Sequence, residues 1–194
     1  MIIISTDKVA RSEQHSFAHR LLSLCLKEFG VDYDVEVTPV VLGEHGKPSL
    51  VKHPELKYSI SHADGIAAAM VSEYECGIDC EAVRRYDHRV VKRVCSEAEQ
   101  ELIETAPADQ RELLFFSLWT LKEAYVKAIG TGLAFPLREA SFAFEGDRIV
   151  TGLRGCKFIR YVIGGEFVVS LCELTNGRSR SYRIQACGGT ISIP

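Results

Sequence analysis

The sequence contains no long apolar run and no strong excess of charge. Its 194 residues never approach the roughly 18 consecutive apolar residues that a membrane-spanning helix needs, so we expect no membrane association. The net charge is −3, from 26 acidic and 23 basic side chains. This balance provides no general attraction to nucleic acid, and any anion-binding site must be local.

The N-terminal residues lack the basic segment and the apolar run of a secretory signal, and they resemble a short buried strand. The cysteines are odd in number and scattered, at positions 25, 76, 80, 95, 156, 172 and 187. Such a set predicts buried free thiols in a reducing compartment, and therefore a cytoplasmic location. Cys76 and Cys80 could form half of a zinc site, but no second pair with ligand spacing follows, so zinc is not expected.

A hydrophobic content of 46% and a charged content of 25% are ordinary for a globular protein that buries a substantial core. The predicted elements run helix then strands, followed again by helix then strands. This order indicates an α+β fold of two similar lobes related by a pseudo-twofold axis, over residues 1–82 and 83–194. No literal sequence repeat accompanies it, so the inference depends on element order alone.

Local signals set the expected elements of the first lobe. A helix is predicted over residues 12–29, with Ser12 at its start and Gly30 after its end. The alternation at 34–37 predicts a strand that runs toward Leu42. Further short strands are expected at 58–61, 66–72 and 76–83.

The second lobe is predicted to contain two short helices, the second with a capping box of Ser96 and Glu99. A long helix follows over about 110–129, with Asp109 and Glu112 as a capping start and Gly130 as its C-cap. The remaining strands are expected at 141–144, 148–152, 158–163, 166–172 and 182–186, with a hairpin at 164–165.

One face of the long helix has an unusual composition. Trp119, Glu123 and Lys127 lie at i, i+4 and i+8 and therefore stack on the same side. A core tryptophan beside a surface Glu–Lys pair explains this pattern as well as a functional face does. The helix alone does not decide between the two.

Two carboxylates share a face of the strand that precedes the long helix. Asp79 and Glu81 project together, whereas Ile78 and Cys80 point to the core. A solvated outer face is one interpretation. The other is a magnesium site, because Mg²⁺ prefers hard oxygen ligands, and Glu123 is a natural third ligand if the helix lies against this strand.

Polar residues elsewhere are suited to binding phosphate. Ser61 and His62 end a strand and could hold a phosphate, although a histidine satisfied in a turn is an equal alternative. Residues 46–48, Gly-Lys-Pro, combine backbone freedom with a cation, although most such loops are only turns. Lys127 could neutralise a phosphate if Glu123 holds the metal.

The ordered set of motifs is far more specific than any one of them. It comprises G-E-H-G-K-P at 43–48, S-I-S-H at 59–62, G-I-D-C-E at 77–81, W-T-L-K-E-A-Y-V-K at 119–127 and G-T-G-L at 130–133. This arrangement, which covers roughly residues 43–137, resembles the 4′-phosphopantetheinyl transferase superfamily, specifically its two-lobed surfactin-type members.

The resemblance implies transfer of the phosphopantetheine arm of coenzyme A to a serine of an acyl or peptidyl carrier protein, with release of adenosine 3′,5′-bisphosphate. Asp79, Glu81 and Glu123 match the family's magnesium ligands. Glu123 also matches the residue that helps deprotonate the serine, and Lys127 matches a phosphate-binding lysine. The nucleophile belongs to the carrier.

The same resemblance assigns donor-binding roles to residues of the first lobe. Ser61, His62 and Lys47 match the pocket for the 3′-phosphate and adenine of coenzyme A, with Gly46 and Pro48 beside them. The expected site lies in the cleft between the lobes. A two-lobed chain does not need a partner subunit, so a monomer is expected.

The chain departs from the family pattern in two places. Surfactin-type members usually carry basic residues ahead of the first helix, whereas only about ten residues precede Arg11 here, and this calls the affinity for coenzyme A into question. Arg20 is a candidate for a basic position of that helix. At 93–96 the chain has Arg-Val-Cys-Ser where the family often has Arg-Phe-Phe-Ser, which predicts an atypical carrier-docking surface.

Two other functions remain open from the sequence. A family member that binds coenzyme A or a carrier without catalysis fits the short N-terminal region but not the complete set of Asp79, Glu81, Glu123 and Lys127. A magnesium phosphotransferase for small molecules is less favoured, because the chain has no P-loop or kinase signature.

Overall fold

The computed structural model describes residues 1–175 and 184–187. Within them, α-helices occupy α1 (Gln14–Lys27), α2 (His88–Val94), α3 (Glu97–Thr105) and α4 (Arg111–Ile129). The strands are β1 (Ile2–Ser5), β2 (Val40–Leu42), β3 (Pro48–Leu50), β4 (Lys57–Ala63), β5 (Ile66–Ser72), β6 (Cys76–Ala82), β7 (Phe142–Glu145), β8 (Arg148–Thr151), β9 (Cys156–Ile163), β10 (Phe167–Leu174) and β11 (Ile184–Cys187).

Two sheets and two helices make the α+β architecture that the sequence predicts. The first sheet has the strand order β11-β1-β5-β4, and α1 packs on it. The second has the order β6-β10-β9, and α4 packs on it. Hairpins β2–β3 and β7–β8 lie outside both sheets. The fold class is therefore confirmed as two similar sheet-and-helix halves.

The two sheets share a core of their own. Ile2 and Ile4 of β1 and Met70 of β5 pack with Ile78 of β6 and Leu171 of β10, and all five side chains are fully buried. A second core lies between α1 and the first sheet, and a third surrounds α4. The first sheet therefore has apolar side chains on both faces.

Strands cross between the two halves of the chain. β6 precedes residue 83 and pairs with β10 in the second sheet. β11 comes near the C-terminus and pairs in parallel with β1 in the first sheet. The predicted division at residues 82 and 83 stays a prediction, and the two halves are joined by strand pairing as well as by packing.

Several local predictions are confirmed. Ser96 and Glu99 form the capping box of α3, with Ser96 N donating to Glu99 Oε2 at 2.7 Å. Gly130 ends α4 in the left-handed region, with φ of +71°. β9 and β10 form the hairpin expected at 164–165. Of the final strand predicted at 182–186, residues 182 and 183 lie outside the described residues.

Two predictions about helix starts are wrong in detail, and so is one prediction about a strand. α1 begins at Gln14 after a 3₁₀ turn, Arg11–Glu13, so Ser12 does not cap it. Asp109 likewise lies in a 3₁₀ turn before α4, and Gln110 occupies the N-cap without a side-chain bond. In both cases the preceding 3₁₀ turn shifts the expected cap residue away from the N-cap position.

Residues 34–37 form a turn, and the strand is confined to Val40–Leu42. Asp34 Oδ1 accepts a hydrogen bond from Glu36 N at 2.8 Å, and Asp34 N donates to Thr38 Oγ1 at 2.9 Å. These local bonds engage backbone groups that a strand would use for pairing.

The cysteines agree with the prediction of free thiols. Cys25, Cys76, Cys80, Cys95 and Cys172 are buried and Cys156 is half-buried, all unpaired. In the part of the chain that the structure describes, no helix is both long enough and apolar enough to cross a bilayer.

Gly77 is the point of closest approach between β6 and α4. A Cβ added there would lie 2.5 Å from Ala128 N and 2.8 Å from Lys127 Cβ, and it would overlap Ala124 O. Only glycine allows the helix backbone to lie this close to the strand. Asp79 and Glu81 share the face of Gly77, so this contact places both carboxylates on the side of α4.

We therefore expect Gly77→Ala to destabilise the protein by at least about 1–3 kcal/mol, because the strand and helix must separate to admit the methyl group. Gly152→Ala is the matched control, since a Cβ there meets nothing within 4 Å. Urea unfolding of both variants tests this expectation, and equal stability of the two would contradict it.

Candidate functional site

The contact between β6 and α4 pairs Lys127 with Asp79. Lys127 Nζ lies 2.7 Å from Asp79 Oδ1 and donates to Ile78 O at 3.0 Å and Ile60 O at 3.5 Å. Lys127 therefore joins α4 to strands of both sheets. The structure thus brings together two of the residues that the sequence selects from separate halves of the chain.

Asp79 has one oxygen engaged and one without a partner. Its side chain is only 9% exposed, and Oδ1 accepts hydrogen bonds from Lys127 and, at 2.9 Å, from Ser61 Oγ. Oδ2 is buried and has no hydrogen-bond partner among the described residues. An unpartnered buried carboxylate oxygen is costly, and a cation is the ligand that would compensate it.

Glu123 lies close enough to the strand carboxylates to be affected by their charge. Burial raises the pKa of Glu123, the charges of Asp79 and Glu81 raise it further, and Lys127 acts in the opposite direction. Glu81 itself forms an ion pair with Arg84, with an N–O distance of 2.7 Å. Three carboxyl groups are therefore gathered beside two cationic side chains, those of Lys127 and Arg84.

The donor set, three carboxylates, suits a hard cation such as Mg²⁺. Two observations fit a metal ion. Asp79 Oδ2 is buried without a partner, and burial and the neighbouring carboxylates raise the pKa of Glu123. Within residues 1–175, however, no three histidine, cysteine, aspartate or glutamate side chains have the spacing of a metal site. In this arrangement Lys127 and Arg84 neutralise the carboxylates of β6.

A cavity of about 610 Å³ opens beside these residues, in the range of small-molecule sites. Of the predicted site residues it is lined by Gly46, Lys47, Pro48, Glu123 and Lys127. The remaining wall includes Tyr58, Ile60, Arg93, Gly132, Phe135 and Leu137. Ser61, His62, Asp79 and Glu81 are not in its lining.

Lys47 is bound to protein acceptors and not exposed to the cavity as a free cation. Its Nζ donates to Glu75 Oε2 and to Ala128 O, both at 2.6 Å, and to Cys76 O at 3.3 Å. The ammonium group therefore satisfies a carbonyl at the C-terminal end of α4, where positive charge is favoured. In this conformation Lys47 fixes the position of residues 46–48 in the cavity wall.

Trp119 supports the core interpretation of its own position. Its ring is half-buried in the core around α4 and lies 6.2 Å from the Phe115 ring, centroid to centroid. Glu123 and Lys127, one and two turns further along the helix, line the cavity. This face of α4 thus begins with an aromatic ring packed against the core and continues with polar side chains that line the cavity.

Sequence reasoning missed a second lysine–carboxylate pair on α4. Lys122 Nζ lies 2.8 Å from Glu99 Oε2, with the side chains 0% and 1% exposed, and it also donates to Leu137 O and Ala140 O. Burial lowers the pKa of Lys122, and Glu99 partly offsets this effect. The available sequence signal was the position of Lys122, four residues after the apolar Leu118 and therefore on the same face of the helix.

This buried pair attaches the cavity wall to the helix. Glu99 Oε1 also accepts a hydrogen bond from Phe142 N at 2.9 Å. Together the two side chains hold the segment that contains Phe135 and Leu137 against α3 and α4.

Sequence reasoning also missed the surroundings of His62. His15 of α1 lies 6.0 Å from His62 and 4.6 Å from His19, measured between ring centroids. Burial, followed by the charges of His15 and Lys127, lowers the pKa of His62. The spacing of His15 and His19, i and i+4 on α1, was the signal for this cluster.

Comparisons with known proteins agree with the motif order. Residues 75–187 match the family model of the 4′-phosphopantetheinyl transferase superfamily. The 4′-phosphopantetheinyl transferase psf-1 of Bacillus pumilus is 24% identical over 153 residues, which cover 76% of this chain and 66% of that protein. The 4′-phosphopantetheinyl transferase HetI of Nostoc sp. is 36% identical over 151 residues, which cover 68% of this chain and 61% of HetI.

The chain thus spans about two thirds or less of the length of the curated relatives it matches. Among solved structures, the Thermotoga maritima holo-[acyl-carrier-protein] synthase is 25% identical with a TM-score of 0.45, covering 52% of this chain and 62% of that one.

The family model covers more than half of the chain, including β6, α4 and the Asp79–Lys127 pair. The chain therefore belongs to the 4′-phosphopantetheinyl transferase superfamily.

Proposed function

We propose that this protein transfers the 4′-phosphopantetheine arm of coenzyme A to a serine of an acyl or peptidyl carrier protein. The observation that carries the proposal is the buried Asp79, which pairs with Lys127 through one oxygen and leaves the other without a partner. A lysine and an unsatisfied carboxylate beside a cavity are what binding of a phosphate with its counter-cation requires.

In the proposed reaction the serine oxygen bonds to the phosphorus that carries the pantetheine arm. The bond from this phosphorus to the bridging oxygen of the pyrophosphate breaks, and adenosine 3′,5′-bisphosphate leaves with the electron pair. The proton of the serine passes to Glu123, directly or through a water. The chain itself supplies no nucleophile, and its residues orient the donor and stabilise charge.

Glu123 is the proposed general base. In the metal-free protein, burial and the charges of Asp79 and Glu81 raise the pKa of Glu123, which strengthens this carboxylate as a proton acceptor. It also lines the cavity, so that a serine entering from solvent could reach it. Burial and the neighbouring carboxylates, which raise the pKa, are therefore compatible with this role.

Asp79, Glu81 and Glu123 would hold Mg²⁺ through carboxylate oxygens. When bound, the metal would neutralise charge that develops on the pyrophosphate. Metal binding would replace the contacts that Lys127 and Arg84 make with these carboxylates, and Lys127 would then be free to bind a phosphate of the donor.

The cavity is proposed to bind coenzyme A. Gly46, Lys47 and Pro48 form part of its wall, while Ser61 and His62 lie on β4 beside it. The cytoplasmic location and the monomeric state remain predictions from the sequence. Binding of coenzyme A or a carrier without transfer remains the alternative.

Intact-mass spectrometry of an apo carrier protein, incubated with this protein, coenzyme A and Mg²⁺, tests the transfer. We expect the carrier to gain about 340 Da, the mass of the transferred arm, and to lose this gain in EDTA. Asp79→Ala and Glu123→Ala should abolish the gain while the fold persists. Exposed carboxylates supply the matched controls Asp32→Ala and Glu101→Ala.

Near-normal transfer by Asp79→Ala or Glu123→Ala would contradict the roles assigned to these side chains. No mass gain with any of several carriers, together with coenzyme A binding in calorimetry, would favour the non-catalytic alternative.

The raised pKa of Glu123 also predicts a stability effect. Its folded pKa lies above the unfolded value, so ionisation of Glu123 destabilises the fold as pH rises through these values. In metal-free buffer, Glu123→Gln should therefore unfold at a higher temperature than the wild type at neutral pH. The difference should shrink near pH 4, where the carboxyl group is largely protonated. Calorimetry at both pH values measures it, and a lower melting temperature at neutral pH would contradict the account.

A further inference from the structure

Two cysteines are neighbours on adjacent strands of the second sheet. Cys156 begins β9 and Cys172 lies in β10, and the register places Cys156 opposite Leu174, two residues beyond Cys172. The two cysteines are therefore diagonal neighbours on one face of the sheet. That face packs against α4, because both cysteines belong to the small apolar cluster around Ala124 and Ala128.

The two thiols differ in exposure. Cys172 is fully buried, whereas Cys156 is half-buried and is the one free cysteine of residues 1–175 that is not buried. A reagent from solvent therefore reaches Cys156 first. Cys76 of β6 lies opposite Glu173 and packs in the core between the sheets, so it is on the other face and does not compete for Cys156.

Each thiol affects the ionisation of the other. A hydrogen bond with Cys172 lowers the pKa of Cys156, and burial opposes this effect. Burial raises the pKa of Cys172, and the interaction with Cys156 raises it further. The more exposed thiol therefore forms the thiolate, which is the reactive form of cysteine, and the buried thiol stays protonated beside it.

We propose that Cys156 and Cys172 are a reversible oxidation site, at which a hydroperoxide converts the two thiols to a disulfide that alters the packing of α4. The transfer reaction uses neither thiol, and this inference does not depend on it. Disulfides that form in proteins of a reducing compartment are typically transient and redox-sensing.

The proposed reaction has two steps. The Cys156 thiolate attacks one oxygen of the hydroperoxide, the O–O bond breaks, and the leaving oxygen takes a proton, so that Cys156 becomes a sulfenic acid. The sulfur of Cys172 then attacks that of Cys156, the S–O bond breaks, and hydroxide leaves with the proton of Cys172 as water. The two thiols lose two electrons in total, which the peroxide accepts. A dithiol returns both electrons and restores the thiols.

The position of the pair connects this bond to α4. Disulfide-bonded cysteines have Cβ atoms about 3.5–4.5 Å apart, which is closer than diagonal neighbours on a sheet usually lie. The strands must therefore shift to close the bond, and a bond closed under strain is easily reduced. Because Cys172 packs on Ala124 and Ala128, the shift changes the contact between β10 and the last turns of α4, where Lys127 lies.

Intact-mass spectrometry of the folded protein treated with hydrogen peroxide tests the bond. We expect a loss of about 2 Da, the mass of two hydrogen atoms. After unfolding, the oxidised protein should take up two fewer iodoacetamide labels than the seven of the reduced protein, and dithiothreitol should restore all seven. A digest should contain a peptide that links Cys156 to Cys172. A sulfinic acid on Cys156 without a cross-link, or a disulfide between other cysteines, would overturn the proposal.

Three variants assign the roles of the two thiols. Cys172→Ser should stop at the sulfenic acid of Cys156, which dimedone traps, and Cys156→Ser should form no disulfide. Cys95→Ala is the matched control, since Cys95 is a buried cysteine of the core around α4, and it should form the bond as the wild type does. Thermal unfolding before oxidation shows whether each variant keeps its fold. Disulfide formation in either serine variant would contradict the assignment.

Hydrogen exchange tests the effect on the helix. We expect the backbone amides of residues 124–129 to exchange several-fold faster in the oxidised wild type than in the reduced protein, and dithiothreitol to reverse the change. The amides of α1 pack elsewhere and should not respond. Unchanged exchange at 124–129 in protein that contains the disulfide would show that the bond does not act on α4. None of these measurements needs coenzyme A or a carrier, so their failure is distinct from failure of the proposed transfer.

Discussion

The close approach of α4 to β6 at Gly77 is the contact on which the rest of the site depends. Because a glycine faces the helix, the backbones of Ala124 and Ala128 lie directly against the strand. Lys127 therefore reaches Asp79, two residues further along β6, at 2.7 Å. A side chain at position 77 would separate the two elements, and the lysine would lie further from the carboxylate.

The two lysine–carboxylate pairs of α4 differ in burial, and this difference separates a structural ion pair from one that can bind a ligand. Lys122 and Glu99 are fully buried, and the carboxylate has backbone partners as well as the lysine. Such a pair is costly to break and offers nothing to a ligand. Lys127 is 31% exposed, and its partner Asp79 keeps a free buried oxygen. This second pair is incomplete without a ligand, and it borders the cavity.

Much of the site followed from local pattern, because its residues belong to regular elements. Strand alternation places Asp79 and Glu81 on one face, and helical spacing places Glu123 one turn before Lys127. The sequence did not predict the contact between the strand and the helix, because local sequence does not reveal how a helix packs on a strand. It gave only the condition that Glu123 could join the two carboxylates if the two elements met. The resemblance to a family supplied the expectation that the two elements meet.

The other differences between the prediction and the structure have two physical causes. Some depend on contacts between residues distant in sequence, and others depend on local side-chain hydrogen bonds. The pairing of β11 with β1 joins the two ends of the chain and leaves no local signal. The sequence around Lys122 is compatible with an exposed lysine, and only the fold shows that Glu99 lies opposite it. Asp34 and Thr38 engage the backbone at 34–37 and replace the strand that alternation predicts.

We propose that β6 and α4 together form a cation and phosphate site. Anomalous diffraction from crystals grown with coenzyme A and Mn²⁺, which takes oxygen ligands as Mg²⁺ does, would locate the cation. We expect a manganese peak bound by Asp79, Glu81 and Glu123, with Lys127 moved from Asp79 to a phosphate of the donor. A manganese peak elsewhere, or an Asp79–Lys127 pair unchanged when the donor is bound, would contradict it.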